Sequence, residues 1–323
     1  MIHRRHFIAA AGSALAVPLL QAQQARTTRF VIGFAPGGAA DVVARLLATR
    51  MRFEAGGNGI VDSKAGAGGR IAVDAVKTAE ADGTTLLVTP GSIMTIYPFV
   101  YSKLSYDPVK DFKPVTPLAS VPYSLNVGPM VPASVKTMKD FAAWAKANPD
   151  KASYGSPGNG TTPHYVGVMF AKEAGFSYVH APYKGGAPAL LDVMGGQIAS
   201  SVNVVSEVVP SALAGKVRVL AVSSAQRLPQ LPEVPTFAEA GFGDLQSQEW
   251  FGLFAPAATP AATVKRLQAS AVEAYATAEV KQALDKLAFS VNTSSSEDFA
   301  SLLRRDLDRW GPVVKATGFK IED

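Results

Sequence analysis

Two short glycine-rich segments carry the residues best suited to holding a small ligand. Phe34-Ala35-Pro36-Gly37-Gly38-Ala39-Ala40-Asp41 and Ser156-Pro157-Gly158-Asn159-Gly160-Thr161-Thr162 each follow a β-like run and precede a helical pattern. A loop of that kind presents backbone N–H groups at a helix N-terminus, where the helix dipole adds a positive field. Both segments therefore suit a carboxylate or another anion, each well-placed donor contributing roughly 1 kcal/mol. The plainer role of the same glycines is to make tight turns, with Asp41 and Thr161 as caps. Two such loops in separate halves of the chain favour a shared anion site over two unrelated turns, because ligands of open α/β sheets sit outside the carboxyl ends of the strands.

Other polar residues extend the candidate set. Lys184 and Gly185 stand in a third strand-to-helix loop, Tyr183 to Pro188, where Lys184 either contributes charge or is a solvated surface lysine. Asn203 follows an apolar run and suits either a hydrogen bond to a ligand hydroxyl or amine, or a cap for the next helix. Ser92 and His164 complete the set; His164, close to a helix start, suits a cap or a satisfied polar contact better than a base.

Catalytic constellations do not form. Ser156 lacks the nucleophile-elbow frame because residue 154 is Tyr, and no glycine loop runs into the Lys-Ser/Thr of a P-loop. Ala65-Gly66-Ala67-Gly68-Gly69 is not a dinucleotide fingerprint, since the position needing a third glycine is Ile71. Only His164 and His180 lie beyond the first 25 residues, and neither belongs to a closely spaced metal-ligand set. No cofactor and no metal are expected.

The elements that must position these loops alternate between strand and helix. A run Arg29 to Phe34 leads into a helix Ala40 to Met51; a strand Gly59 to Asp62, a turn Ala65 to Gly69 and a helix to Ala79 follow; Thr84 to Thr89 reads as a buried strand. Prolines 114, 117, 122, 129 and 132 then mark extended segments crossing to a second α/β set. That set contains helix 137–147, strand 152–156, helix 164–174, strand 177–180, helix 188–194, strand 198–203, helix 205–214 and strand 217–223. A strand 250–255 leads back, and helices 261–275, 280–287 and 296–315 pack on the first lobe. The fold class is α/β with a largely parallel sheet, in two lobes joined by a hinge of two crossings. Lobe 1 comprises 26–121 and 249–323, and lobe 2 comprises 122–248.

With 323 residues, 48% apolar and 18% charged, the chain is globular and long enough for two domains. Residues 1–25 read as a signal peptide: Arg4 and Arg5 form a positive n-region, Phe7 to Leu20 an apolar core, and Gln21 to Ala25 a cleavage region. The paired arginines fit a twin-arginine signal in part, and the general Sec route fits as well. No cysteine occurs, which excludes disulfides, thiol nucleophiles and a lipidated cysteine anchor. The formal charge of +5 falls to +3 once Arg4 and Arg5 are removed, and the remaining basic residues are scattered among acids. No basic, aromatic-interleaved face of a nucleic-acid binder is present.

Eight ordered motifs carry a resemblance. They include Phe34 to Asp41, Gly66-Ala67-Gly68-Gly69, Asp82-Gly83, Tyr106-Asp107-Pro108-Val109-Lys110-Asp111-Phe112, Gly158-Asn159-Gly160 with His164, Tyr183 to Pro188, Ala225-Gln226-Arg227 through Pro235-Thr236, and Trp250 to Pro256. From about Arg29 to the end the chain resembles the Bug-type extracytoplasmic receptors of tripartite tricarboxylate transporters. The resemblance implies a two-lobed Venus-flytrap fold of periplasmic binding proteins, with a carboxylate held between the Phe34–Asp41 and Ser156–Thr162 loops, in part through ordered water; a receptor that closes around its ligand is most simply a monomer. Its partners would be the membrane permease subunits of such a transporter; the alternatives are a sensor kinase as partner or an enzyme on the same fold. Two departures stand out. Asp62-Ser63-Lys64-Ala65 replaces the family's Asn-Arg-Pro or Asn-Lys-Pro run, and position 203, commonly Asp, is Asn. A neutral Asn203 facing the cleft would disfavour an ammonium group and favour a second carboxylate or a hydroxyl.

Overall fold

The computed structural model describes residues 26–53 and 57–322; the expected signal peptide, 1–25, lies outside the described residues. The chain opens with β1 (Thr27–Ile32), α1 (Ala39–Arg50), β2 (Asn58–Ser63), α2 (Arg70–Lys77), β3 (Thr85–Pro90) and the short helices α3 (Gly91–Thr95) and α4 (Tyr97–Val100). A sixteen-residue strand, β4 (Phe112–Val127), leads to α5 (Met138–Ala147), β5 (Ser153–Ser156), α6 (Thr162–Ala174), β6 (Val179–Pro182), α7 (Gly186–Met194), β7 (Ser200–Val204), α8 (Val205–Leu213) and β8 (Arg218–Val222). The chain returns through β9 (Gln248–Pro256) and closes with α9 (Ala261–Ala276), α10 (Ala278–Asp285), β10 (Ser290–Val291) and α11 (Ser296–Thr317).

Sequence chemistry fixes the helix ends. Thr137 accepts from the Asp140 N–H while the Asp140 carboxylate accepts from the Thr137 N–H, a reciprocal box that starts α5. Ser295 Oγ accepts from the Asp298 N–H at the start of α11 without the reciprocal bond, and Gly318, at φ 66°, ends the helix in a left-handed turn that a side chain would strain. In α1, Val43, Ala44 and Leu47 recur at helical spacing and are buried against the sheet.

The sheet has two sections joined by β4. In one, β1 runs parallel to β2 and β3, and β3 lies antiparallel to β9. In the other, β5 runs parallel to β6 and β7. β4 pairs antiparallel with β9 from Phe112 to Pro122, then with β7 and β8 from Tyr123 to Val127. The expected parallel character thus holds within each section and gives way to antiparallel pairing along β4 and β9, the strands that carry the chain between sections. The short helices α3 and α4 have no counterpart in the sequence reading, being too short to show a period.

The core is continuous across both sections. Phe254 meets Phe112 edge-on at 6.5 Å and Phe299 at 5.0 Å, so α11 is pinned to β9 and β4. In the second section Phe141, Phe170, Phe176 and Tyr178 form a cluster between α5, α6 and β6. Burial of such rings supplies most of the drive to fold, with edge contacts adding roughly 0.5–1.5 kcal/mol each. Close backbone approach also matters: a Cβ at Gly128, just past β4, would stand 1.9 Å from the carbonyl oxygen of Val193. Gly128→Ala is therefore expected to destabilise the protein by about 1–3 kcal/mol, read as a lower midpoint in urea.

Candidate functional site

The loop after β1 meets the loop after β6 across a cleft, and the loop after β6 in turn holds the loop after β5. The Ala35 N–H donates to the Lys184 carbonyl at 3.0 Å, and the Gly185 N–H donates to the Pro157 carbonyl at 3.2 Å. Gly158 lies so near the Gly68 turn that a Cβ there would come 3.4 Å from the Gly68 Cα. The space between them forms a narrow pocket. Phe34, Ala35, Gly38, Ala39, Ala40, Ser92, Thr161 and Gly185 of the sequence-derived set line it. Most of the remaining wall is apolar: Pro90, Pro157, Pro163, Val204 and Phe251.

The other candidates stand behind that wall and shape it. Asp41 accepts from the Gly37 N–H at 3.0 Å and from Arg45 Nε at 2.8 Å, holding the turn that opens α1. Ser156 Oγ donates to the Gly158 carbonyl at 3.1 Å, accepts from the Gly158 N–H at 3.3 Å, and lies 2.6 Å from His180 Nε2. The Gly160 N–H donates to His164 Nδ1 at 3.1 Å, and Thr161 Oγ1 donates to the Gly158 carbonyl at 2.8 Å. The second loop thus uses several donors on itself. Asn159 and Thr162 belong to the same turn and helix start without lining the pocket.

The His164 and His180 rings stack 4.0 Å apart behind that loop. Burial lowers the pKa of His164 to about 4; burial, then the neighbouring His164, lowers that of His180 to about 3. Both are neutral near pH 7, which leaves His164 Nδ1 free to accept. His164 is thereby an acceptor that fixes the loop, not a proton donor to a ligand.

Two candidates stand away from the pocket lining. The side chain of Lys184 is exposed and outside the lining; its contribution is the backbone carbonyl that Ala35 reaches. Asn203 is fully buried and does not face the pocket. Its Nδ2 donates to the Gly186 carbonyl and to Glu207 Oε2, each at 2.9 Å, and its Oδ1 accepts from Asn126 at 3.4 Å. The loss of charge at position 203 is also answered one helical turn later, because Glu207 lines the pocket.

Glu207 and Glu249 are the residues the sequence reading missed. Glu207 Oε1 accepts the Ala39 N–H at 3.2 Å, so a side-chain carboxylate stands at the N-terminus of α1. Gly186 makes room for it, since a Cβ there would fall 1.7 Å from Glu207 Oε2. Glu249, at the start of β9, accepts from the Ser92 N–H at 3.3 Å, from Ser92 Oγ at 3.1 Å and from Tyr123 Oη at 2.9 Å. Burial raises both carboxyl groups, that of Glu249 to about 7 against its hydrogen bonds. The signal was present: each is the single charged residue of an otherwise apolar or neutral element, Val205–Leu213 and Gln248–Pro256.

Two α/β sections that close glycine-rich loops around an interlobe cleft define the two-lobed class of periplasmic binding proteins. The chain belongs to the tripartite tricarboxylate transporter receptor family, TctC, whose model matches residues 43–319. This is a family of solute-binding receptors and not of enzymes. A protein encoded in the tcbD–tcbE intergenic region of a Pseudomonas species is 34% identical over 97% of this chain and 94% of its own. The periplasmic binding protein BugD is 30% identical with a TM-score of 0.87, covering 92% of this chain and 99% of that one. MatC of Rhodopseudomonas palustris, solved with bound malate, is 30% identical with a TM-score of 0.84 over 90% of this chain and 99% of that one. Among the described residues no helix is long and apolar enough to cross a membrane.

The buried acid makes a pH prediction. The Glu249 carboxyl rises from its ordinary 4.5 to about 7 on folding, so the folded form holds its proton longer than the unfolded chain. That contribution to stability is complete below the unfolded value and is lost as pH rises through the folded one. The Glu249→Gln variant cannot ionise, so its melting temperature should gain on the native protein between pH 4.5 and 7.5 and run parallel below pH 4.5, the histidines being common to both.

Proposed function

We propose that the protein is an exported receptor that captures a small carboxylate between lobe 1 (26–121 and 249–323) and lobe 2 (122–248) and delivers it to the permease subunits of a tripartite tricarboxylate transporter. It acts in the periplasm as a monomer after removal of residues 1–25. The ligand carboxylate is held by amides at the starts of α1 and α6, in part through ordered water, and the remainder packs on Phe34, Phe251 and the cleft prolines. The single observation that carries this reading is the Glu207 contact: the α1 N-terminus of one lobe already binds a carboxylate offered by the other. The first-turn amides of Ala40 and Asp41 have no intrahelical acceptor either, so the same helix end can serve a second oxygen. Malate in the related MatC is a small carboxylate of the same class.

A thermal-shift screen of the mature protein against mono-, di- and tricarboxylates, acidic amino acids and aromatic acids tests it. A cognate carboxylate at a hundred times its Kd should contribute about 2.7 kcal/mol and raise the melting temperature. Shifts from sugars or cations alone, with none from any carboxylate, would sink the reading.

A further inference from the structure

Among the described residues, the narrow pocket between the lobes is lined by two acids and no base. Glu207 projects from α8 and Glu249 from the start of β9. The charged groups nearby supply no counter-charge to the wall. Arg45 is tied to Asp41 at 2.8 Å outside the lining, Lys184 is exposed, and Asp306 on α11 accepts from Trp250 Nε1 at 2.7 Å. His164 of α6, neutral through burial, accepts the Gly160 N–H. A ligand carboxylate seated here becomes the third carboxyl group in a poorly solvated space, and a proton is the simplest agent that can relieve the repulsion.

The hydrogen bonds distinguish the acid that can take this proton. Glu207 is held by N–H donors, the Ala39 amide at 3.2 Å on Oε1 and Asn203 Nδ2 at 2.9 Å on Oε2. Neither nitrogen can accept, so a proton on either oxygen finds no partner among them. Glu249 differs at one oxygen. Its Oε1 accepts the Ser92 N–H at 3.3 Å, while Oε2 lies 3.1 Å from Ser92 Oγ and 2.9 Å from Tyr123 Oη; the Gly91 N–H also bonds the carboxyl group. A hydroxyl both donates and accepts, so the two partners of Oε2 can reverse when that oxygen carries a hydrogen. The Thr162 hydroxyl, at the start of α6, stands beside the Tyr123 phenol and gives the reversed O–H an acceptor. Ser92, Glu249, Tyr123 and Thr162 thus join the two lobes through hydroxyls of switchable polarity with one acid among them. Burial raises that acid to about 7, so near neutral pH a modest added repulsion is enough to protonate it. Tyr123 keeps its own proton, since burial and then Glu249 raise its phenol well above this range.

We infer that the receptor binds its carboxylate together with one proton, drawn from solvent and held on Glu249 Oε2, which rests on the carboxylate reading above and adds the proton to it as a co-ligand. The only bond formed is O–H: solvent gives up H⁺, and a lone pair of the Glu249 carboxylate receives it. Binding that consumes a proton is favoured at low pH. Affinity therefore falls as pH rises from the value at which Glu249 titrates in the free protein toward the higher value it has in the complex.

Calorimetric titration of the mature protein with malate, succinate, adipate and benzoate, each in two buffers of different ionisation enthalpy, counts the protons directly. At about pH 7.5, where these acids are already ionised, the native protein should take up more than about half a proton per ligand bound. Its affinity should weaken about tenfold between about pH 7 and about pH 8.5. Glu249→Gln should bind with no net proton and lose that pH dependence, whereas Glu207→Gln should keep the uptake; melting temperatures of the unliganded variants are the folding control. Equal binding enthalpies in the two buffers for the native protein overturn the inference while leaving the carboxylate receptor intact, and they do so without any variant. Uptake that persists in Glu249→Gln, or that disappears in Glu207→Gln, overturns the assignment to Glu249. If none of the four acids binds, the strongest acid of the broader screen is titrated in their place; a blank screen takes down the receptor reading and the proton with it.

Discussion

The site depends on one strand being shared by two sheets. β4 gives its first eleven residues to β9 and its last five to β7 and β8, changing partners between Pro122 and Tyr123. Because both sections hang from the same backbone, the carboxyl ends of β1 and β5 open on one cleft, and the loops that follow them face each other. The aromatic contacts of Phe254 with Phe112 and Phe299 then lock the returning strand and the last helix to that shared element. No local feature of either glycine loop could create the site without this arrangement.

Electrostatics inside the cleft follow from burial more than from net charge. The chain is formally basic, yet the ionisable side chains lining the pocket are two acids, held by directed donors and raised in pKa by burial. Burying an acid is unfavourable to its charged form, and here each has at least two donors that offset part of that cost. The histidine pair shows the converse solution. Stacked and desolvated, His164 and His180 shed their charge and act as a neutral acceptor and a packed ring.

The alternation of elements and the two glycine-rich loops that reach the pocket were legible because each is encoded locally, with glycines where φ is positive, as at Gly37 and Gly160; the caps read at Asp41 and Thr161 make no side-chain cap bond. What escaped was set by distance in sequence. Glu207 meets Ala39 from 168 residues away and Glu249 meets Ser92 from 157, so no spacing rule could join them. Asn203 was noticed for its place at the end of an apolar strand, with a ligand contact and a cap both open, because which way it points is decided by Gly186 on another element. Lys184 misled in a related way: its position mattered through the backbone, which carries no residue-specific signal.

The prolines of β4 bear on how stiff the link between the lobes is. Pro114, Pro117 and Pro122 pair with Phe254, Gly252 and Gln248 of β9, and the register slips between Pro114 and Thr116 and again between Pro117 and Ala119. A proline has no N–H to give, so at these points the ladder has already surrendered the bonds that a bend would break. Bending the strand at these points therefore costs fewer ladder hydrogen bonds than bending it at a residue that donates. Any give in β4 at these points comes from absent donors and not from a glycine-rich linker.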